Sequence, residues 1–163
     1  MVRKIYPRQI SSGTEAVVVA LSETEVGKMW GDSEAASAEA TRFQFANSIN
    51  RLMCAMLRHD EYAPTGAAVL VLERLYPLDF RTHEVEARRG LLEVFGDELH
   101  ELHAAGFVHG HLQRQTGFTS GVWDNILLTK DGLRLIDAGR AILEEESTED
   151  AFERAVDAEE SAF

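Results

Sequence analysis

One cysteine, Cys54, in 163 residues excludes an internal disulfide and fits a reducing compartment. Long apolar runs are missing as well. None approaches the ~20 residues that a bilayer-spanning helix needs, so no membrane partner is expected. The opening MVRKIYPRQI has no apolar stretch of the kind a signal peptide carries, which points to a cytoplasmic protein or one delivered as a soluble effector. Positive charge is scarce. Sixteen Lys and Arg against 28 Asp and Glu leave a formal charge of −12, which argues against nucleic-acid partners, because such proteins neutralise phosphates with Lys and Arg. The acid gathers in Glu144 to Glu146 and in EDAFERAVDAEE, while Arg81, Arg88 and Arg89 form a small basic group. Solvated helix faces account for both.

What is present is an apolar content of 45%, enough for one folded domain or one compact body with two small lobes. Ala16 to Ala20 (AVVVA) and Glu25 to Trp30 read as an antiparallel strand pair, with Glu23 and Thr24 near the bend and a turn over Ser11 to Thr14. A helix is expected from Ser33 to about Arg58, capped by Asp32 or Ser33, with Phe45, Ile49, Leu52, Met53 and Met56 on its apolar face. Ala67 to Leu72 read as a buried strand. A second helix is expected from about Thr82 to Ala105, with Val85, Leu92, Phe95, Leu99 and Leu102 on one face and Gly106 as its stop. Ile126 to Leu128 and Leu133 to Ile136 flank Asp131-Gly132 as a hairpin. A last helix begins at Ser147, with Ala151, Phe152, Ala155 and Val156 facing inward. This segregated order predicts an α+β fold rather than a doubly wound parallel sheet.

Four features suit phosphoryl transfer, which needs cations on the phosphates and a group orienting the attacking oxygen. Asp137, after a strand and before Ala138-Gly139, offers a hard oxygen ligand suited to Mg²⁺; taken alone it is a turn-opening residue. Asn125 starts the hairpin whose second strand leads to Asp137, so the two can converge on one ion. Lys28 lies on a strand where lysines are usually solvated. A functional role requires a carboxylate from the following helix, for which Glu39 is better placed than Glu34, a first-turn dipole residue. Small residues from Ser11 to Ala16, including Gly13, could let backbone amides approach phosphates.

Lys28, Glu39, FVHGHL, DNILL and LRLIDAG, in that order, resemble the protein kinase-like superfamily, including its aminoglycoside- and choline-kinase-type members and short bacterial effector kinases. The resemblance spans about residues 10 to 143 and is densest from 99 to 140. It implies a β-rich upper lobe with one helix (residues 1–73) and a truncated, mainly helical lower lobe (74–163), whose catalytic-loop-like segment covers 107–140. It implies ATP and Mg²⁺ as cofactors, with Lys28 on the phosphates and Glu39 paired to Lys28. Leu72 to Tyr76, including Glu73 and Leu75, would lie beside adenine, and Asn125 and Asp137 would hold the metal. The chain departs from the pattern at telling places. His111 stands where the family has its catalytic aspartate, Leu112 to Asp124 intervene before Asn125, and Ala138 replaces the usual aromatic. Ser11 and Ala16 replace two loop glycines.

His111 admits three accounts. The site is inactive, a neutral imidazole orients or deprotonates the acceptor, or Asp124 takes that role. The inserted GFTSGVW suits a structured acceptor loop. His100, His103, His109 and His111 also raise a zinc site, but no cysteine or carboxylate completes a familiar spacing. The expected function is an atypical phosphotransferase acting on a small-molecule or folded-protein acceptor. The alternative is a nucleotide-binding or protein-interaction module without transfer.

Overall fold

The computed structural model describes residues 8–12, 16–79, 82–112 and 125–162. They form an α+β fold: a five-stranded antiparallel sheet in the order β1-β2-β3-β5-β4, three helices, and two short strand pairs. In chain order the elements are β1 (Arg8–Ser12), β2 (Ala16–Ala20), β3 (Glu25–Trp30), α1 (Ser33–Ile49), β4 (Met56–Tyr62) and β5 (Ala67–Glu73). Then follow α2 (Val85–Ala105), β6 (Phe107–Val108), β7 (Ile126–Thr129), β8 (Gly132–Leu135), β9 (Ile142–Leu143) and α3 (Glu149–Ala162). Among the described residues no helix is long and apolar enough to cross a membrane.

The β2–β3 hairpin forms where its composition places it. Ser22 Oγ accepts the backbone N–H groups of Thr24 (3.2 Å) and Glu25 (3.1 Å), fixing the bend. The pairing sets Val18 opposite Lys28, and β3 then pairs with β5 so that Lys28 also faces Leu70. Asp32 caps α1 by accepting the Glu34 N–H at 2.9 Å.

Helix α1 stops at Ile49 rather than near Arg58, and Ile49 is 39% exposed. The reason is tertiary. Residues 50–55 run beside β8, with Cys54 donating to the Leu135 carbonyl (2.8 Å) and Leu135 to that of Leu52 (2.7 Å). Leu52 and Met53 reach the core by this route, while Met56 opens strand β4. Segment 8–12 is likewise a strand along β2, not wholly a turn. Helix α2 begins at Val85, which is 59% exposed and so off the buried face held by Phe95, Leu99 and Leu102. Gly106 closes α2 in the left-handed region (φ 99°), its N–H reaching the Leu102 and His103 carbonyls. Helix α3 begins at Glu149, two residues past Ser147, with Thr148 Oγ1 accepting from Ala151 N–H.

One apolar core joins the sheet to the rest. It runs from Trp30, Phe43 and Leu70 through Leu99 and Phe107 to Leu128 and Leu135, and the rings of Phe45 and Phe107 stack at 6.4 Å. The β6–β9 pair joins the two ends of the segment that carries His109, Asn125 and Asp137.

Candidate functional site

Lys28 is brought in by β3, Glu39 by α1 and Asp137 by the turn after β8. Lys28 Nζ donates to Glu39 Oε1 (2.7 Å) and to Asp137 Oδ1 (3.1 Å), and lies 4.9 Å from the centre of the Trp30 ring. Lys28 and Glu39 are buried, whereas the Asp137 side chain is 43% exposed. Glu39 lies one helical repeat from Ala36 and Phe43 and so shares their buried face.

Asp137 adopts φ 64°, the one non-glycine residue with positive φ among those described. The turn is gripped from several sides. Gly139 N–H donates to Asp137 Oδ1 (3.0 Å), Ala138 N–H to Glu39 Oε1 (3.2 Å), and Arg42 Nη1 to the Gly139 carbonyl (2.9 Å). Both bonds that Asp137 accepts fall on Oδ1.

The histidine loop is packed against the same turn. The His109 ring is fully buried; its Nε2 bonds the Ile136 carbonyl (2.9 Å), and its Nδ1 accepts the His111 N–H (3.2 Å). That assignment makes Nε2 the protonated nitrogen. Gly110 sits at φ 77°, and a Cβ there would stand 2.5 Å from the Arg140 carbonyl oxygen, so glycine is required. Asn125 Nδ2 donates to the His111 carbonyl, and Asn125 carbonyl accepts the Ile136 N–H at 3.0 Å. Leu112, the first residue of the inserted stretch, accepts the N–H of Asn125, the residue that follows it (3.4 Å). The insertion therefore does not separate His111 from Asn125.

Lys28, Glu39, Asp137, His111 and Asn125 are thus gathered around one turn. Glu73 and Leu75 lie at the end of β5 and just beyond. The Glu73 carboxylate is already engaged by Ala55 N–H (2.8 Å) and the Arg134 guanidinium, and Leu75 packs on the core. Gly13 and Asp124 fall outside the described residues. The four histidines divide: His103 faces Glu159 and Glu160, His100 lies 3.6 Å from Glu160, His109 bonds Ile136, and the His111 backbone meets His109 and Asn125. Among the described residues no group of three or more His, Cys, Asp or Glu side chains is arranged for a metal.

Comparison with known proteins names no family. No family model matches the sequence, and no curated protein gives a significant match. The chemistry must be argued from the side chains.

Burial alone would lower the Lys28 pKa, but Glu39 and Asp137 outweigh it and raise it, so the ammonium stays charged. Glu39 moves up instead, because burial exceeds the pull of Lys28. Burial also pushes Asp137 upward, yet Lys28 and the Gly139 N–H hold it below the ordinary carboxylate value. Asp137 is therefore the anion that opens to solvent.

Two positions, the half-buried Arg42 and the buried Glu159, carry weight that the pattern alone did not bring out. Arg42 stands one turn beyond Glu39. Glu159 stands seven residues after Phe152, a helical spacing that places it on the inward face. Glu159 Oε1 takes His103 Nε2 (3.0 Å) and the His109 N–H (3.1 Å), and Oε2 takes the Gly110 N–H (2.7 Å). Glu160 Oε1 faces His103 Nδ1 at 3.3 Å. An imidazole with a carboxylate on each nitrogen satisfies both only as the imidazolium.

The two buried histidines shape stability against pH in opposite senses. Burial would lower His103, but Glu159 and Glu160 raise it. Its contribution is complete below about pH 6.5 and is lost as pH rises through the folded value. Burial holds His109 below its ordinary value, so its contribution is complete above about pH 6.5 and is lost as pH falls through the folded value. Urea unfolding of the His103→Gln variant is expected to lose the alkaline decline expected of the wild type and to keep the acid one. Each group contributes a slope of at most ~1.4 kcal/mol per pH unit, the one-proton limit. An unchanged alkaline limb would show that the two glutamates do not hold a proton on His103.

Proposed function

We propose that the chain is a minimal, kinase-like phosphotransferase that uses a nucleoside triphosphate, with residues 1–73 and 74–163 as its two lobes. The observation that carries this reading is Lys28, buried and charged between a helix carboxylate and the half-open carboxylate of Asp137. The sheet order β1-β2-β3-β5-β4 with α1 inserted after β3 supports it, as does the His111–Asn125–Asp137 arrangement. The resemblance of HGHL, DNILL and LIDAG points the same way.

The donor set fits a magnesium ion accompanied by phosphates and water, which demands only one or two protein oxygens. Asp137 keeps Oδ2 clear of its two described bonds. Asn125 turns Nδ2 to His111, leaving the amide oxygen as the atom for a cation. A bound Mg²⁺ would neutralise charge on the phosphates. The rest falls to the chain. Lys28 supplies an ammonium to phosphate oxygens, Glu39 holds Lys28 in place, and backbone at Glu73 to Leu75 edges the base. His111 receives the acceptor proton, with Asp124 as the other candidate for that role. A base of this kind contributes about 10²–10⁴-fold, so transfer is expected to be slow if His111 serves weakly.

A second reading, a protein-interaction module, draws on a groove of about 710 Å³ between α2 and the β7–β8 turn. It is lined by Leu78, Gly90, Leu91, Val94, Phe95 and Leu128 and lies apart from Lys28.

Thermal unfolding with ATP, with and without Mg²⁺, separates the two. Nucleotide at a hundred times its dissociation constant adds about 2.7 kcal/mol, which for a chain of this size raises Tm at roughly 2–4 °C per kcal/mol. Asp137→Ala is expected to remove the magnesium-dependent part of that rise and all magnesium-dependent ATP consumption. Absence of consumption by the wild type, with any acceptor or on itself, would reduce the proposal to nucleotide binding. Absence of any shift at saturating ATP would leave the interaction module.

A further inference from the structure

The Asp137 turn is held by α1 through two residues of opposite character. Glu39 accepts from Ala138 N–H, and Arg42, one turn further along, donates to the Gly139 carbonyl. Asp137 itself sits at φ 64°, a conformation that costs an L-residue energy and persists only where surrounding contacts over-determine it. The bonds internal to the turn are Gly139 N–H to Asp137 Oδ1 (3.0 Å) and Ala141 N–H to the Ala138 carbonyl (3.1 Å). Neither ties the turn to the rest of the molecule. The two α1 contacts do, as does Lys28 on β3 through Asp137 Oδ1; of the α1 contacts, the Glu39 bond competes with Lys28 for the same oxygen, Oε1. Among the described residues the Arg42 bond has no such competitor at the Gly139 carbonyl, and the buried Arg42 Nε has no partner of its own. The described hydrogen bond of the half-buried guanidinium is the one from Nη1 to that carbonyl.

We propose that Arg42 is a positioning residue for Asp137: by holding the Gly139 carbonyl it keeps the Asp137 carboxylate turned between Lys28 and the open side of the site. It touches neither phosphate nor metal. Its effect passes through the backbone of residues 137–139, and the functional half of the inference rests on the nucleotide reading given above.

The decisive experiment compares Arg42→Met and Arg42→Lys with the wild type by amide hydrogen exchange and by urea unfolding, without any ligand. In Arg42→Met, exchange at Ala138, Gly139 and Ala141 is expected to quicken by roughly tenfold or more, the scale of one lost hydrogen bond to a charged group. Amides of β2, β3 and α2 should keep their wild-type rates, and Arg42→Lys, which retains a charged donor, should recover part of the protection. A general loosening, with exchange rising in proportion everywhere, would overturn the inference by making Arg42 an ordinary structural residue. So would unchanged exchange at the turn. The second measurement is the magnesium concentration at which the ATP-induced thermal shift reaches half its maximum. It is expected to rise in Arg42→Met while the shift with ATP alone stays constant. A wild type that responds to Mg²⁺ and ATP, with an unmoved midpoint in the variant, would remove the functional half. A wild type that does not respond to nucleotide would sink the nucleotide reading, and exchange at the turn would then decide alone whether Arg42 holds it.

Discussion

Replacing Lys28 with methionine is expected to lower the unfolding free energy at neutral pH by about 3–5 kcal/mol, the cost of stranding a buried partner charge. Glu39 is fully buried, and its only other described donor is the Ala138 N–H at 3.2 Å. Its second oxygen, Oε2, has no hydrogen-bond partner among the described residues. Without the ammonium, the Ala138 N–H is left to oppose burial, and the carboxyl is driven further toward its neutral form. The penalty should therefore shrink as pH falls, because the proton that relieves it becomes easier to acquire. Adding Glu39→Gln to Lys28→Met removes the orphaned charge and is expected to return much of the loss, since replacing both members of a buried pair is far milder than breaking it. Urea unfolding of the two single variants and the double variant forms the cycle. A loss below about 1 kcal/mol for Lys28→Met would place the pair in the class of solvated surface bridges and contradict its burial. The same variant should show no thermal response to ATP, which ties the electrostatic role of Lys28 to the proposed one.

Much of this arrangement was legible because short-range signals governed it. The β2–β3 hairpin, the Asp32 cap, the Gly106 stop and the β7–β8 hairpin all rest on turn and cap chemistry confined to a few residues. Lys28 and Glu39 could be paired because a strand followed at once by a helix leaves few places for a lysine of β3 to reach. The end of α1 was not legible. Ile49, Leu52, Met53 and Met56 keep helical spacing, yet residues 50–55 are taken by β8, whose pairing partner lies some eighty positions away in sequence. Local pattern carries no trace of such a bond. β4 was hidden for a related reason: MLRHDEY is a sheet edge with mostly exposed side chains, so no apolar alternation marks it. Val85 failed in the opposite direction, as an apolar residue at the right spacing that precedes the part of α2 with a neighbour to cover it. Arg42 and Glu159 are charged residues on buried faces, and spacing alone identified their faces while their chemistry argued for solvent.

Removing the Glu159 carboxylate is the other change expected to act strongly, because it binds three donors from two separate parts of the fold. Glu159 joins α3 to His103 on α2 and to the His109 and Gly110 amides that begin the histidine loop. Its side chain is 3% exposed and that of His103 4%, so solvent cannot replace what is lost. Glu159→Ala leaves two backbone N–H groups without their acceptor and a buried imidazolium facing only Glu160, which is half exposed. A loss of about 3–5 kcal/mol is expected. Glu159→Gln should cost well under half of that. Its amide oxygen can still accept from the Gly110 N–H, and His103 can discard its second proton and accept from the amide nitrogen through Nε2. Both variants should lose most of the alkaline decline attributed to His103, because the charge that retained the proton is gone in each. Unfolding curves for both variants at about pH 6 and pH 8.5 test this. Equal losses for Ala and Gln would mean that charge, and not the loop hydrogen bonds, dominates at Glu159. A small loss for Ala would mean that the histidine loop is held in place without α3, leaving the buried contact from Ile136 to His109 as its main support.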